Sequence, residues 1–276
     1  MKGENSKRPI GVFDSGVGGL TVVREIKKTL PEEDIVYLGD TARVPYGTKS
    51  EKTIKKFAVE DVMFLLKYRV KLIVIACNTV SSVALNFLKE TFPEIPIFGV
   101  VDPGVKEALR VTKSGNIGVI GTIATIKSGA HEKALLNAKE DLKVYTKPCP
   151  LFVPLAEEGI TQGKIANDVI SLYLHDLKGK IDALILGCTH YPLLKKAIKG
   201  FMGSDVTLVD PAVEIAKTVR SFLEKNNLLN NTGGELSIHL TDVPPHYKEL
   251  IERFLGQKVN RIFQVELTGC EGGIKL

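Results

Sequence analysis

The chain has 276 residues, of which 44% are hydrophobic and 25% are charged, and this balance is typical of an ordinary globular protein. The formal net charge of +5 is small and the lysines are scattered over helical patterns, which argues against a nucleic-acid partner. No apolar run reaches the roughly 20 residues that a membrane span needs, and the polar start of the chain has no signal-peptide core. We therefore expect a cytoplasmic protein without a membrane partner.

Short β-branched apolar runs alternate with amphipathic helical patterns along the chain. Continuous apolar strands separated by helices predict parallel sheets covered by helices on both faces. The predicted strands are Ile10–Phe13, Ile35–Leu38, Leu72–Ala76, Ile97–Val101, Ile117–Ile120, Val144–Thr146, Ala183–Leu186, Thr207–Val209, Leu236–Leu240 and Arg261–Val265. The predicted helices include Thr21–Thr29, Glu51–Tyr68, Val80–Thr91, Ala166–Leu177, Ala212–Asn226 and Pro245–Leu255. The Gly-rich end, Thr268–Leu276, is expected to be a loose tail.

An internal repeat divides much of the chain into two related halves. Three segments recur in the same order at a nearly constant offset, and Cys77 and Cys188 occupy equivalent places in them. The matched segments are 10–15 with 117–122, 73–79 with 184–190, and 101–103 with 209–211. Ligands of open α/β sheets bind beyond the carboxyl ends of the strands. The repeat therefore predicts that both cysteines, each at a strand end, face one shared cleft.

A pair of thiols at Cys77 and Cys188 suits the inversion of a stereocentre. This reaction needs a base on one face of the carbon and an acid on the other, both well aligned. A thiolate and a thiol can supply both groups and exchange roles in the reverse direction. Helical patterns begin near Val80 and near Pro192, so a helix N-terminus is expected to lower the pKa of each thiol.

Polar residues next to the two cysteines are candidates for substrate binding and proton transfer. Asn78, Thr79, Thr189 and the nearby backbone N–H groups could hold carboxylates. His190 is either a structural histidine or a proton partner of the nearby thiol. Asp14, at the end of the first strand, is either a turn residue or a helper of the thiol in its own half.

The other two cysteines, Cys149 and Cys270, lack such a context, and we interpret them as structural. No two cysteines form a C-x-x-C pair, so no metal site is expected. The loop after the first strand contains Gly16 and Gly18 but has Thr21 where a dinucleotide fingerprint requires a third glycine. We therefore expect a tight loop that exposes Asp14 and Ser15, and no nicotinamide cofactor.

Five stretches of the sequence resemble motifs of the aspartate/glutamate racemase family, and the glutamate-specific members in particular. They are Phe-Asp-Ser-Gly-Val-Gly-Gly-Leu-Thr (13–21), Gly-Asp-Thr-Ala-Arg-Val-Pro-Tyr-Gly (39–47), Ala-Cys-Asn-Thr (76–79), Phe-Val-Pro-Leu-Ala-Glu-Glu-Gly (152–159) and Leu-Gly-Cys-Thr-His-Tyr-Pro (186–192). The resemblance implies two α/β domains with an active site between them. It also implies that no cofactor is needed, and that L- and D-glutamate are interconverted to supply bacterial peptidoglycan synthesis.

The resemblance also assigns roles to particular residues. Cys188 would deprotonate L-glutamate and Cys77 would protonate the opposite face, with the roles reversed for D-glutamate. Asp14 would assist Cys77, and His190 with Glu157 would assist Cys188, although the adjacent Glu158 stays an alternative to Glu157. The substrate would be held by Asp14, Ser15, Tyr46, Gly47, Asn78, Thr79, Thr189 and His190.

Family architecture implies a discontinuous first domain, formed by 1–97 and 211–276, which carries Cys77. The second domain, 98–210, carries Cys188, and the repeats break at about these points. Members of the family often form dimers, so a homodimer is a further expectation from the resemblance.

Three other functions compete with this interpretation. The nearest is an aspartate racemase, which the motifs around Cys188 and Pro45-Tyr46-Gly47 resemble less. A decarboxylase or isomerase of the same superfamily with a single thiol is disfavoured by the presence of both cysteines. A two-lobed solute-binding protein without catalysis is disfavoured by the paired cysteines and by the lack of an export signal.

Overall fold

The computed structural model describes residues 5–259 and 261–267. Its strands are β1 (Ile10–Asp14), β2 (Ile35–Gly39), β3 (Leu72–Ile75), β4 (Ile97–Gly99), β5 (Asn116–Gly121), β6 (Lys143–Pro148), β7 (Ala183–Gly187), β8 (Thr207–Val209), β9 (Leu236–Leu240) and β10 (Ile262–Gln264). Its α-helices are α1 (Leu20–Thr29), α2 (Glu51–Leu66), α3 (Asn78–Thr91), α4 (Val101–Val111), α5 (Ile123–Lys127), α6 (Ala130–Ala138), α7 (Phe152–Glu157), α8 (Lys164–Leu174), α9 (Lys195–Met202), α10 (Pro211–Lys225) and α11 (Tyr247–Leu255).

The strands form two parallel sheets, which confirms the predicted fold class. The first sheet has the order β10-β9-β2-β1-β3-β4 and the second has the order β6-β5-β7-β8. The order of β1 to β4 is therefore repeated in β5 to β8, as the internal repeat of the sequence predicts. Strands β9 and β10 extend the first sheet beyond β2.

The central strands of each sheet are buried on both faces because helices cover both. In β1, Val12 belongs to a core formed with α1, α10 and α11, whereas Phe13 belongs to a core with α2 and α3 on the opposite face. In β5, Val119 packs toward α4 and α6, and Ile120 packs toward α8 and α9. This alternation follows from the period of two in a strand, and it explains why these strands are continuously apolar.

Several predicted boundaries were wrong near the ends of strands. The strand predicted to reach Val101 ends at Gly99, because Val101, Val105 and Ala108 are buried at helical spacing and start α4 instead. The helix after Cys77 begins at Asn78, two residues before the predicted start. After Cys188 the chain forms a 3-10 turn over Tyr191–Leu194, and the α-helix starts only at Lys195.

The remaining predictions about cysteines and the chain end have different outcomes. Cys149 is buried, and its Sγ lies 3.6 Å from the Lys147 carbonyl oxygen, which fits a structural residue. Cys270 and the predicted tail over Thr268–Leu276 lie outside the described residues. Within the described ranges, no helix combines the length and the apolar character that crossing a membrane requires.

Candidate active site

A cleft of about 180 Å³ opens where the carboxyl ends of β1 and β3 meet those of β5 and β7. Both Cys77 and Cys188 line it, as does every residue predicted for the site except Asp14 and Glu157. The full lining is Ser15, Val44, Pro45, Tyr46, Gly47, Thr48, Cys77, Asn78, Thr79, Thr122, Ile123, Pro150, Val153, Pro154, Cys188, Thr189 and His190. The two halves of the repeat therefore contribute to a single cavity.

Cys77 is held at the very start of α3, where it is the N-cap residue. Its Sγ lies 3.6 Å from the Ser15 hydroxyl and contacts the backbone N–H of Val80. Burial, with a smaller contribution from the nearby carboxyl of Asp14, raises the pKa of Cys77 to about 12, although the Val80 N–H acts in the opposite direction. The predicted lowering of this pKa by a helix N-terminus was therefore wrong, because burial outweighs it.

Asp14 is buried, and the expectation that its loop exposes it was also wrong. Its Oδ2 accepts hydrogen bonds from the backbone N–H groups of Gly16 (3.2 Å) and Gly19 (3.0 Å). Its Oδ1 has no partner among the described residues. Burial raises the pKa of Asp14, while the positive charge of His190 and the backbone N–H groups work against that rise. Asp14 is therefore a carboxyl behind Cys77 that can hold a proton more readily than an exposed aspartate.

Cys188 lies next to His190 rather than next to a carboxylate. The Nδ1 atom of His190 is 3.8 Å from the Cys188 Sγ, and its Nε2 atom is 3.0 Å from Glu157 Oε1. Burial by itself would lower the pKa of His190, but the hydrogen bonds to Cys188 and Glu157 outweigh burial and raise that pKa to about 10. His190 is thus an imidazolium at neutral pH. The adjacent Glu158 is exposed.

The loop that carries Tyr46 and Gly47 brings the first half of the chain against the second. It forms a 3-10 turn over Tyr46–Thr48, and the Tyr46 side chain is buried. A Cβ atom built on Gly47 would lie 2.8 Å from the Thr122 Cβ atom, so only glycine allows this approach.

Three threonine hydroxyls join the two halves, and two of these residues, Thr79 and Thr122, line the cleft. Thr79 Oγ1 lies 3.0 Å from Thr122 Oγ1 and 3.1 Å from Thr125 Oγ1, and the last two are 2.9 Å apart. Sequence reasoning missed Thr122 and Thr125. The signal that could have revealed Thr122 is the internal repeat, in which it is the counterpart of Ser15.

The glycine-rich loop after β1 contacts the loop that carries His190. A Cβ atom on Gly18 would lie 2.4 Å from Thr189 Oγ1 and 2.5 Å from His190 Cε1. The Thr21 hydroxyl lies 2.9 Å from the Gly18 carbonyl oxygen and 3.1 Å from that of Thr189. Gly18 therefore allows the two loops to come into close contact, because it has no Cβ atom.

The cleft contains thiols, hydroxyls and one imidazolium, and it contains no metal-binding arrangement of the described residues. Nowhere in the described ranges do three or more His, Cys, Asp or Glu side chains come together in a way that could hold a metal ion. The chemistry that the arrangement supports is proton transfer between two sulfur atoms and a small bound molecule.

The sequence model of the family described as Asp/Glu/Hydantoin racemase matches residues 10–219. The chain belongs to this family. The glutamate racemase of Geobacter metallireducens is 48% identical over 263 residues, which cover 94% of this chain and 97% of the relative. The glutamate racemase of Aquifex aeolicus is 50% identical over 250 residues, which cover 91% of this chain and 95% of the relative.

A solved structure of a family member has the same fold. The crystal structure of glutamate racemase from Francisella tularensis in complex with D-glutamate matches with a TM-score of 0.89 and 43% identity, over 95% of this chain and 98% of that chain. Our chain is thus an enzyme of the racemase family, and the resemblance of its five motifs to this family is confirmed.

Proposed function

We propose that this enzyme is an amino-acid racemase that interconverts L-glutamate and D-glutamate with two cysteines and no cofactor. The observation that carries the proposal is that Cys77 and Cys188, one from each half of the repeat, line the same cleft. Relatives named glutamate racemase and the neighbour crystallised with D-glutamate support glutamate as the substrate.

In the direction from L- to D-glutamate, the Cys188 thiolate would take the α-proton and the Cys77 thiol would give its proton to the opposite face of the carbanion. The surroundings of the two sulfur atoms support this assignment. His190 lies 3.8 Å from the Cys188 Sγ and would stabilise negative charge that develops there, whereas burial and the Asp14 carboxyl raise the pKa of Cys77 and favour its thiol form. The reverse direction starts from the exchanged protonation states. Asp14 would assist proton transfer at Cys77, and Glu157 would assist it at Cys188.

The polar lining of the cleft fits an amino acid with two carboxylates. The N-terminus of α3, at Asn78 and Thr79, presents backbone N–H groups that can hold one carboxylate. Buried Asn78 Oδ1 has no partner among the described residues and is an acceptor for the substrate ammonium. The other residues proposed to contact the substrate are Asp14, Ser15, Tyr46, Gly47, Thr122, Thr189 and His190.

The proposal is tested by circular dichroism of solutions of L-glutamate, D-glutamate, L-aspartate and D-aspartate with the purified chain. Both glutamate enantiomers should lose their signal without any added cofactor, and aspartate should not. In D₂O, each product should carry deuterium at Cα because the incoming proton comes from a thiol in exchange with solvent. Turnover of aspartate alone would replace our proposal with the aspartate racemase alternative.

We also propose two domains, 1–97 with 211–276 and 98–210, each built around one sheet, although β4 carries the first sheet two residues past this boundary, to Gly99. The pairing of β9 with β2 and the packing of α10 on α1 support the return of the chain to the first domain. The packing of α4 on β7 supports a start of the second domain before α4. Separate expression of 98–210 would test this boundary, because a domain with its own core should unfold cooperatively.

In the cell, we propose that the enzyme acts in the cytoplasm as a homodimer and supplies D-glutamate for peptidoglycan. This role follows from the proposed activity and from the resemblance to the family. Expression of the chain should restore growth to a bacterium that requires D-glutamate, and a variant without Cys77 should not. Sedimentation velocity of the purified chain measures its assembly state.

A further inference from the structure

A buried cluster of ionisable side chains lies behind the loop that carries Tyr46, and Tyr46 is its only member with a role in the proposed function. We call it the Tyr46 acid cluster, and it consists of Asp40, Arg43, Tyr46, Glu60 and Asp61. The side chains of Asp40 and Asp61 are fully buried and that of Glu60 is 7% exposed. Asp40 follows β2, whereas Glu60 and Asp61 lie on the buried face of α2.

The guanidinium of Arg43 contacts all three carboxyl groups of this cluster. Arg43 Nε lies 2.5 Å from Asp40 Oδ2, and Arg43 Nη1 donates to Glu60 Oε2 at short range. Arg43 Nη2 is 3.5 Å from Asp61 Oδ1, which is the longest of the three contacts. Asp61 is thus the carboxyl that the cation neutralises least.

The Tyr46 hydroxyl lies between two of these carboxyl groups. It donates a short hydrogen bond to Asp40 Oδ2, and its oxygen is 3.3 Å from Asp61 Oδ2. The hydroxyl has one proton, so it cannot donate to both at once. Asp40 has a further donor, because the Thr241 hydroxyl lies 3.0 Å from its Oδ1.

The charges of the cluster do not balance if all three carboxyl groups are ionised. Three ionised carboxylates and one guanidinium would leave two uncompensated negative charges in a buried site, which is unfavourable. A proton on one carboxyl removes one of them. Burial, followed by the charge of Asp40, raises the pKa of Asp61 well above its ordinary value, even though Arg43 lowers it.

We propose that Asp61 is a neutral carboxylic acid and a positioning residue for Tyr46. Its O–H donates to the Tyr46 oxygen, the Tyr46 O–H donates to the Asp40 carboxylate, and Arg43 neutralises Asp40. In this series of hydrogen bonds, each donor then faces an acceptor. Because Tyr46 and Gly47 line the cleft, loss of the Asp61 proton would place a second anion next to Asp40 and disturb the wall that meets the substrate.

The proton itself can be observed without substrate, so this test does not depend on the proposed racemase activity. Infrared spectra at neutral pH should contain a carboxylic-acid C=O band that disappears in Asp61→Asn. The matched control is Asp176→Asn, because Asp176 is half-exposed and paired with Lys147, and the band should persist in it. Identical spectra of the wild type and Asp61→Asn in this region would overturn the proposal.

The positioning role, which rests on the proposed function, is tested by the KM for glutamate. Asp61→Asn has the shape of the acid and an N–H donor, so its KM should stay within about threefold of wild type. Asp61→Leu has no donor, and its KM should rise by about tenfold, with a smaller change in kcat. Thermal unfolding of both variants separates this effect from a loss of folded protein.

The pH dependence of KM shows whether the proton of Asp61 matters, or only the shape of its side chain. The groups that face Asp61 are Asp40, Arg43, Tyr46 and Glu60, and burial keeps the pKa of Tyr46 well above its ordinary value. As Asp61 ionises at alkaline pH, the wild-type KM should rise, and this component should be missing in Asp61→Asn. An equal alkaline rise in both proteins, or a KM for Asp61→Asn as high as that for Asp61→Leu, would contradict the proposal.

Discussion

Racemisation of glutamate should fall by about a hundredfold to ten-thousandfold in Cys77→Ser and equally in Cys188→Ser, because each replacement removes the acid or the base from one face. A serine hydroxyl has nearly the shape of a thiol but holds its proton far more tightly. Measurement of kcat/KM by circular dichroism in both directions checks this result. Full turnover of glutamate in either variant would refute the two-thiol mechanism.

Hydrogen exchange in D₂O resolves which thiol serves which enantiomer. Cys77→Ser retains Cys188, which could still remove and return the α-proton of L-glutamate without inversion. In Cys77→Ser, exchange of deuterium into L-glutamate should therefore persist although racemisation is lost. In Cys188→Ser, exchange into D-glutamate should persist in the same way. The opposite pattern would mean that the thiols are assigned to the wrong faces.

Cys149→Ser is the matched control for both variants. Cys149 is buried like the other two cysteines but does not line the cleft, and a hydroxyl could take over the contact of its thiol with the Lys147 carbonyl oxygen. Its activity should match that of the wild type. This comparison separates the loss of a reacting sulfur from the general cost of placing a hydroxyl in a buried position.

The repeat and the positions of the strands could be predicted from the sequence because they depend on patterns of residue type along the chain. Apolar runs such as Ile73–Ile75 and Leu184–Leu186 define parallel strands, and side chains that follow such strands gather at one edge of a sheet. That rule brings Cys77 and Cys188 to the same cleft without knowledge of any contact. Short helices, such as α5, contain too few residues to show a period, and they were missed.

The electrostatics of the site could not be predicted because they depend on tertiary burial. A helix N-terminus next to Cys77 is visible in the sequence, but the depth of burial that reverses its effect on the pKa is not. The burial of Asp14 likewise results from the way the glycine-rich loop folds back over it. Thr125 was missed for the same reason, since its hydroxyl meets Thr79 only across the two halves of the chain.

The two thiols therefore have different ionisable neighbours, although the repeat makes their backbone positions equivalent. Cys188 has the His190 imidazolium, which Glu157 stabilises, and Cys77 has the carboxyl of Asp14. Gly121 is the counterpart of Asp14 in the second half, so no carboxyl stands at the equivalent place there. This asymmetry suits the proposed reaction, because that reaction requires one sulfur atom to take a proton while the other gives one.

Gly18→Ala should lower kcat/KM by about a hundredfold or more, because a displacement of about 1 Å at a catalytic group has an effect of this size. The new Cβ atom would lie 2.4 Å from Thr189 Oγ1 and 2.5 Å from His190 Cε1, so one of the two loops must move. His190 has little freedom to yield. Its ring is held by Glu157 at 3.0 Å and packs edge-on against Phe254, with 5.0 Å between the ring centroids.

The same loop provides a control for Gly18→Ala that differs only in what the methyl group meets. In Gly16→Ala the nearest atom would be Val44 Cγ2 at 3.5 Å, which is an ordinary contact, and the backbone hydrogen bonds of Gly16 would be kept. Gly16→Ala should therefore retain activity within about threefold, as expected for a change of less than 1 kcal/mol. Equal losses in both variants would mean that the loop tolerates no side chain at all. A loss confined to Gly18→Ala would mean that the glycine is needed for the approach of His190 to Cys188.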